Sequence, residues 1–203
     1  FEARKLILEE LSQLGLLIKE EKQDLVIPYG DRSGVVIEPW LTDQWFCNAK
    51  KLAIDPIKSV KENNTNFVPK NWENTFFNWM ENIQPWCISR QLWWGHQIPA
   101  WYGPDNKSFV ALSHDDAKLM AKNHYGKEVE LKQDEDVLDT WFSSALWTFS
   151  TLDWPDKTYE LDRFYPGNVL VTGFDIIFFW VARMMMMGSH FMKETPFKDI
   201  YIH

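Results

Sequence analysis

Hydrophobic positions along the chain change period several times, and each change marks an element. Leu6, Ile7, Leu11, Leu14 and Leu17 recur at spacings of three and four among charged residues. That spacing predicts an amphipathic helix over 1–21, with Gly15 near its end. Two short runs, 24–27 and 35–38, flank the turn-rich Pro28-Tyr-Gly-Asp-Arg-Ser-Gly34 and read as strands of a hairpin or ribbon. A helical pattern over 48–62 comes next, then a polar loop at 63–66 and an extended piece at 67–69. The run 72–83 predicts a helix with Trp72, Phe76, Trp79 and Ile83 on one face, as core packing requires. A turn at 103–106, strands at 109–112 and 128–131 and a helix at 115–124 describe a small α+β insertion.

The chain is organised around its last stretch, 168–203. Val169 to Thr172 is a short run of the β-branched type expected of a buried strand. Gly173 breaks it, and Asp175 stands where a helix N-cap would stand. An apolar segment long enough for five helical turns comes after it, punctuated by Pro196, and Ile200, Tyr201 and Ile202 offer a second strand. A strand–helix–strand unit of this kind predicts an α/β fold, with a Gly and a carboxylate at the edge where parallel sheets bind ligands. The stretch 176–187 is apolar on all sides. It is short of the ~20 residues a membrane span needs, so a buried helix is expected and no membrane partner. Asp175 and Arg183 bracket and interrupt it.

Composition narrows the picture little. With 203 residues, 45% hydrophobic and 25% charged, the chain suits one large soluble domain or two small ones. The 12 Trp are unusual, and such residues fill cores or line pockets. A net charge of −8 means that any RNA contact must rest on local patches or on other parts of the protein. Two cysteines, Cys47 and Cys87, provide neither a disulfide framework nor a metal quartet, and a reducing, cytoplasmic setting is expected. No secretory signal opens the chain, which starts with a charged amphipathic segment. The first residue is not Met and the last run is strand-like, so a piece of a longer protein is expected.

Several chemistries are excluded by motif. The five His are scattered, no Gly-x-Ser-x-Gly elbow exists, and neither Gly-x-Gly-x-x-Gly nor a phosphate-cradling Gly-Lys-Ser/Thr occurs. The acidic cluster Asp134, Glu135, Asp136 and Asp139 reads as a solvated turn and helix start, where the helix dipole favours negative charge. Acid–base chemistry by paired carboxylates is the alternative there. The segment 86–102 places Arg90 and His96 among five aromatics, which few ordinary segments do.

Three ordered motifs then carry a resemblance. Trp86-x-Ile-Ser-Arg-Gln-x-x-Trp-Gly, Asp136-Val-Leu-Asp-Thr-Trp-Phe-Ser-Ser-Ala and Thr172-Gly-Phe-Asp-Ile-Ile-Phe-Phe-Trp resemble the class I aminoacyl-tRNA synthetases. Within that class they are similar to the subgroup that charges valine, isoleucine and leucine, and the last two runs point to its valine branch. The resemblance implies the C-terminal half of a Rossmann catalytic domain at 39–203, with a small connective insertion near 95–133. Residues 1–38 would be the end of the editing domain and its return ribbon. It implies an aminoacyl-tRNA ligase that activates L-valine with ATP and Mg and passes it to tRNA(Val). No catalytic residue, bound metal or prosthetic group is expected in this segment. The His-Ile-Gly-His type motif and the editing residues would lie upstream, and the Lys-Met-Ser-Lys-Ser loop downstream.

Carried over residue by residue, the resemblance places Trp141, Ile176 and Trp180 around the valine side chain. Gly173 and Asp175 match the family's Gly-x-Asp against the ATP ribose, with His203 beside the nucleotide. Arg90 and His96 are candidates for the tRNA acceptor end, with structural pairing an equal alternative. Ile176 and Trp180, at i and i+4, would share a helix face. An apolar valine pocket cannot exclude near-isosteric threonine, valyl enzymes being the standard example of that limit, which rationalises an editing domain. A Rossmann sheet divided in two leaves strand edges unpaired, so the segment alone is expected to self-associate and the whole enzyme to be monomeric. Judged on residues alone, the rival is a non-catalytic module whose Trp-rich surface stacks nucleotides, RNA or saccharides. A glycosidase using the 134–139 carboxylates comes third.

Overall fold

The computed structural model describes residues 2–31 and 33–203. Phe1 and Arg32, inside the expected helix and turn, lie outside the described residues. The chain divides into two units, 1–42 and 43–203.

In the first unit, helix α1 spans Glu2–Gln13 and buries none of its residues. It ends earlier than its apolar period suggests, because Gly15 takes a left-handed φ of 68° and Leu16 and Leu17 both donate back to the Leu11 carbonyl. The expected ribbon shrinks to a single antiparallel bridge between Tyr29 and Val36. Residues 24–27 form no strand; Val26 is wholly exposed, and two short strands with nothing to cover them do not hold a ladder.

The second unit is α/β. Strand β1 (Phe46–Cys47) leads to helices α2 (Ala49–Leu52) and α3 (Ile54–Lys61), with Asn48 capping α2 through its side chain. Then come β2 (Asn66–Val68), α4 (Trp72–Glu81), β3 (Trp86–Cys87) and β4 (Ser89–Arg90). A satellite is inserted next: β5 (Ala100–Tyr102), β6 (Ser108–Val110), α5 (His114–Tyr125) and β7 (Lys132–Gln133). Its antiparallel sheet, ordered β6-β5-β7, closes over Trp101, Phe109, Ala117 and Ala121. Ser113 caps α5 by accepting from the Asp116 N–H, and Gly126 ends it at φ 70°. The strand expected at 128–131 forms later, at 132–133. Val129 and Leu131 instead pack onto the satellite core, while Trp101 and Tyr102 pair with Gln133 and Lys132.

The chain returns through β8 (Val137–Leu138), which pairs antiparallel with β4, and continues into α6 (Thr140–Ala145), α7 (Trp147–Ser150) and α8 (Tyr159–Phe164). The final unit comprises β9 (Gly167–Thr172), a 3₁₀ turn (Phe174–Ile176), a π turn (Ile177–Ala182), α9 (Arg183–Phe191) and β10 (Phe197–Ile202). Strands β2, β10 and β9 form a parallel sheet in that order, with Ile200 opposite both Phe67 and Leu170. Phe67, Leu170, Ile200 and Ile202 alternate inward, and the four methionines 184–187 share the same core, all buried. The other face shows Val68, Val169, Val171 and Tyr201, each at least 41% exposed.

Three expectations are corrected by this geometry. The apolar segment is not one regular α-helix but a 3₁₀, a π and an α portion in series. Asp175 is not the N-cap: Gly173 holds that place, without a side-chain bond, and Asp175 sits inside the 3₁₀ turn. The aromatic stripe of α4 is only half core. Phe76 is fully buried and Ile83 nearly so, but Trp79 is half exposed and stacks on Phe178 at 4.7 Å, as Trp72 does on Phe174 at 5.4 Å.

Candidate functional site

Strands β9 and β10 run in the same direction and end together, so their carboxyl edge brings together the residues just beyond each strand. The His203 N–H donates to the Thr172 carbonyl at 3.2 Å, placing it beside Gly173. Gly173 has φ −79° and ψ 156°, open to any residue; its missing Cβ spares space rather than strain. A Cβ there would lie 2.6 Å from Oδ1 of Asp175, whose carboxylate folds back over it. Asp175 and His203 are exposed and Gly173 is half-buried. The three predicted nucleotide-facing residues therefore stand at one edge, as the strand–helix–strand pattern implies.

The three predicted amino-acid-facing residues are less close-knit. Helix α6 lies against the π turn, and Trp141 and Trp180 are half-buried at that interface. Trp141 meets Phe179, ring centres 5.9 Å apart. Trp180 meets Trp147 at 6.1 Å and donates Nε1–H to the Ser144 carbonyl at 3.4 Å. Ile176 sits at the joint between 3₁₀ and π turns, with φ −111° and ψ 14°. The i, i+4 face of a regular helix is thus not the geometry relating Ile176 to Trp180, since a π turn is wider and often marks a functional position.

Arg90 is paired within the protein. Its Nη1 donates to the carbonyls of Cys87 and Ser89 at 2.9 and 2.8 Å, and Nη2 lies 3.3 Å from Asp139. His96 is exposed, and its carbonyl accepts from the Leu138 N–H at 2.7 Å.

Two clusters escaped the sequence reading. Asp134 is not a solvated turn residue: it accepts from Trp45 Nε1 (2.8 Å), Tyr102 hydroxyl (2.7 Å) and the Asp136 N–H (2.9 Å). Burial alone would raise its pKa, yet those donors hold it below the usual carboxylate value. Tyr102 is pushed up to about 12 by burial and by the Asp134 carboxylate. Asp139, 5% exposed, meets Trp86, Arg90 and Arg183 together. The available signal was Arg183 itself, a cation inside an apolar run, which demands a buried counter-charge.

Among the described residues no group of three or more His, Cys, Asp and Glu could hold a metal ion, and no helix is long and apolar enough to cross a membrane. A cleft of about 630 Å³ opens at the opposite edge of the sheet, among Ser59, Gly167, Ser189 and Phe197, away from every predicted site residue. A smaller one of about 340 Å³ is lined by Trp79, Trp86, Arg90, Phe178 and Arg183.

Fold and geometry together define an α/β domain in which Gly173, Asp175 and His203 gather at the carboxyl edge of a parallel sheet. A family model described as tRNA synthetases class I (I, L, M and V) matches residues 9–203. The chain belongs to that family. It is 63% identical over all its 203 residues to the valine–tRNA ligase of Brucella melitensis and 61% to that of Pelagibacter ubique. The chain spans 22% and 23% of those relatives' lengths. Among solved structures, methionyl-tRNA synthetase of Mycobacterium tuberculosis bound by methionyl-adenylate matches with a TM-score of 0.55 at 16% identity, over 87% of this chain and 29% of that one. The same enzyme's apo form gives 0.55 at 17% identity, over 89% and 31%. These two show the fold.

Proposed function

We propose that the chain is part of a valine–tRNA ligase, which activates L-valine with ATP and Mg and transfers it to tRNA(Val) in the cytoplasm. The observation that carries this is identity above 60% along the whole chain to ligases of that name. Residues 39–203 then form the second half of the Rossmann catalytic domain, with the connective insertion near 95–133, and 1–38 the end of the editing domain. Trp141, Ile176 and Trp180 wall the valine side chain. Rigid apolar walls without hydrogen-bond partners suit a branched aliphatic substrate. Gly173, Asp175 and His203 face the nucleotide, the carboxylate accepting from ribose hydroxyls. His96, exposed, and Arg90, which also supports the backbone beside it, are the candidates for the tRNA acceptor end.

The test is Trp180→Ala in the full-length ligase, read by valine-dependent pyrophosphate exchange. Removing the indole wall is expected to raise the KM for valine by ~10- to 100-fold. The KM for ATP should stay within about twofold, because no nucleotide-facing group is touched. Unchanged valine kinetics would remove Trp180 from the pocket.

A further inference from the structure

The side chains assigned to valine come from two stretches far apart in sequence, α6 and the 3₁₀–π segment 174–182. Something must hold these in register. Asp139 immediately precedes α6 and occupies its N-cap position, yet its side chain makes no capping bond. The carboxylate is turned elsewhere. Oδ2 accepts from Trp86 Nε1 at 3.1 Å and lies 3.5 Å from Arg183 Nη1, while Oδ1 lies 3.3 Å from Arg90 Nη2. Its backbone is fixed as well: the N–H donates to the Ile88 carbonyl at 2.7 Å, and its own carbonyl accepts from Phe142, opening α6.

Arg183 is the first residue of α9, directly after the π turn. Its guanidinium lies 4.1 Å over Trp86 and 5.5 Å from the ring of Phe179. Phe179 in turn faces Trp141. The contacts close a circuit: Asp139 carboxylate, Arg183 guanidinium, Phe179 ring, Trp141 ring, and two backbone steps back to Asp139. Every link in it bears on where Trp141 stands relative to Ile176 and Trp180. A buried ion pair contributes little net stability against an apolar replacement of equal volume, so orientation is the property it supplies.

We infer that Asp139 and Arg183 are positioning residues that set the width of the amino-acid pocket, and so discriminate valine from its isosteres and larger homologues. This rests on the assignment of Trp141, Ile176 and Trp180 to that pocket. The nucleotide edge is built differently. It depends on the β9–β10 ladder and the bond from His203 to Thr172, none of which touches Asp139.

The experiment is Asp139→Asn and Arg183→Lys in the full-length ligase, with active sites titrated and pyrophosphate exchange measured for valine, threonine and isoleucine. The expected result is a valine KM raised by ~10-fold or more and an activation ratio shifted toward threonine and isoleucine by about fivefold. The KM for ATP should stay within about twofold, and Asp139→Glu should recover part of the discrimination. Unchanged valine KM and discrimination in both variants would overturn the inference. So would valine and ATP constants moving together, or a lowered Tm with discrimination intact, since a merely structural role predicts those. Trp141→Ala and Trp180→Ala, run in parallel, separate the two readings. If they leave valine KM unchanged, the pocket assignment fails and the inference with it. If they raise it while Asp139→Asn does not, only the positioning role fails.

Discussion

Asp139 Oδ2 and Arg183 Nη1 lie 3.5 Å apart with both side chains more than nine-tenths buried. The contact is one of charge: Arg183 Nη1 has no hydrogen-bond partner, although Oδ2 is already accepting from Trp86. Burial pushes the guanidinium's pKa down, Asp139 pulls it up, and Arg90 adds repulsion. The two charges are therefore unequally placed. Asp139 has two cations and an indole N–H, whereas Arg183 has Asp139 as its one carboxylate among the described residues.

That asymmetry makes a stability prediction. Breaking a buried pair costs about 3–5 kcal/mol because one charge is stranded. Asp139→Ala strands Arg183 among aromatic rings and falls at the upper end, about 5 kcal/mol. Arg183→Met leaves Asp139 with Arg90 and Trp86, and falls at about 3 kcal/mol or below. Thermal unfolding of the full-length protein should therefore show the larger loss of Tm for Asp139→Ala. Equal losses would contradict the unequal placement.

Where periodicity is strong the type of element is legible, although its bounds and winding are not: α1 stops at Gln13, short of its apolar period. The strand–helix–strand order of 167–202, the helix over 114–125 and the placing of Gly173 and Asp175 at the strand edge derive from local pattern and Gly or Pro punctuation, whereas His203 comes from the resemblance. The illegible features depend on partners remote in sequence. The roles of Asp134 and Asp139 are set by Trp45, Tyr102, Trp86 and Arg183, between 32 and 89 residues away. A carboxylate in an acidic run gives no local sign of burial. The π turn was equally hidden, because an apolar run of this length fits α, 3₁₀ and π winding alike. Short strands failed for a related reason: 24–27 and 128–131 have strand-like composition but no neighbour to complete a ladder.

Asp175→Asn addresses the nucleotide edge. If Asp175 takes the ribose as proposed, the amide keeps one acceptor but loses the charge-assisted bonds, each worth about 1.5–3 kcal/mol. The KM for ATP in pyrophosphate exchange should rise ~10- to 100-fold, with valine KM within about twofold. An effect confined to tRNA charging would refute the ribose role.

Asp134 gives a pH dependence. Its folded pKa is depressed, so the protonated form is favoured more in the unfolded chain. Its contribution is fully present above the ordinary carboxylate range near pH ~4, and is lost as pH falls through the depressed value. Asp136 works in the opposite sense, since burial and then its acidic neighbours raise its pKa. Asp134→Asn should lower the thermal midpoint at pH 7 and flatten its decline toward pH ~3. A decline as steep as that of the unsubstituted protein would show that these hydrogen bonds do not set the acid limb.

Gly173→Ala separates backbone strain from close approach. With φ −79° and ψ 156°, an alanine is accommodated without strain, and loss of chain freedom in the unfolded state adds about 0.4–1 kcal/mol of stability. The new methyl nevertheless falls 2.6 Å from Asp175 Oδ1, and the carboxylate, being the mobile end of a side chain, must swing away. Tm should hold or rise slightly while the KM for ATP rises in the manner of Asp175→Asn, and the double variant should add little to either single one. Additive losses would mean that Gly173 and Asp175 act on the nucleotide separately. A fall in Tm instead would mean that the site needs glycine for the fold and not for the carboxylate above it.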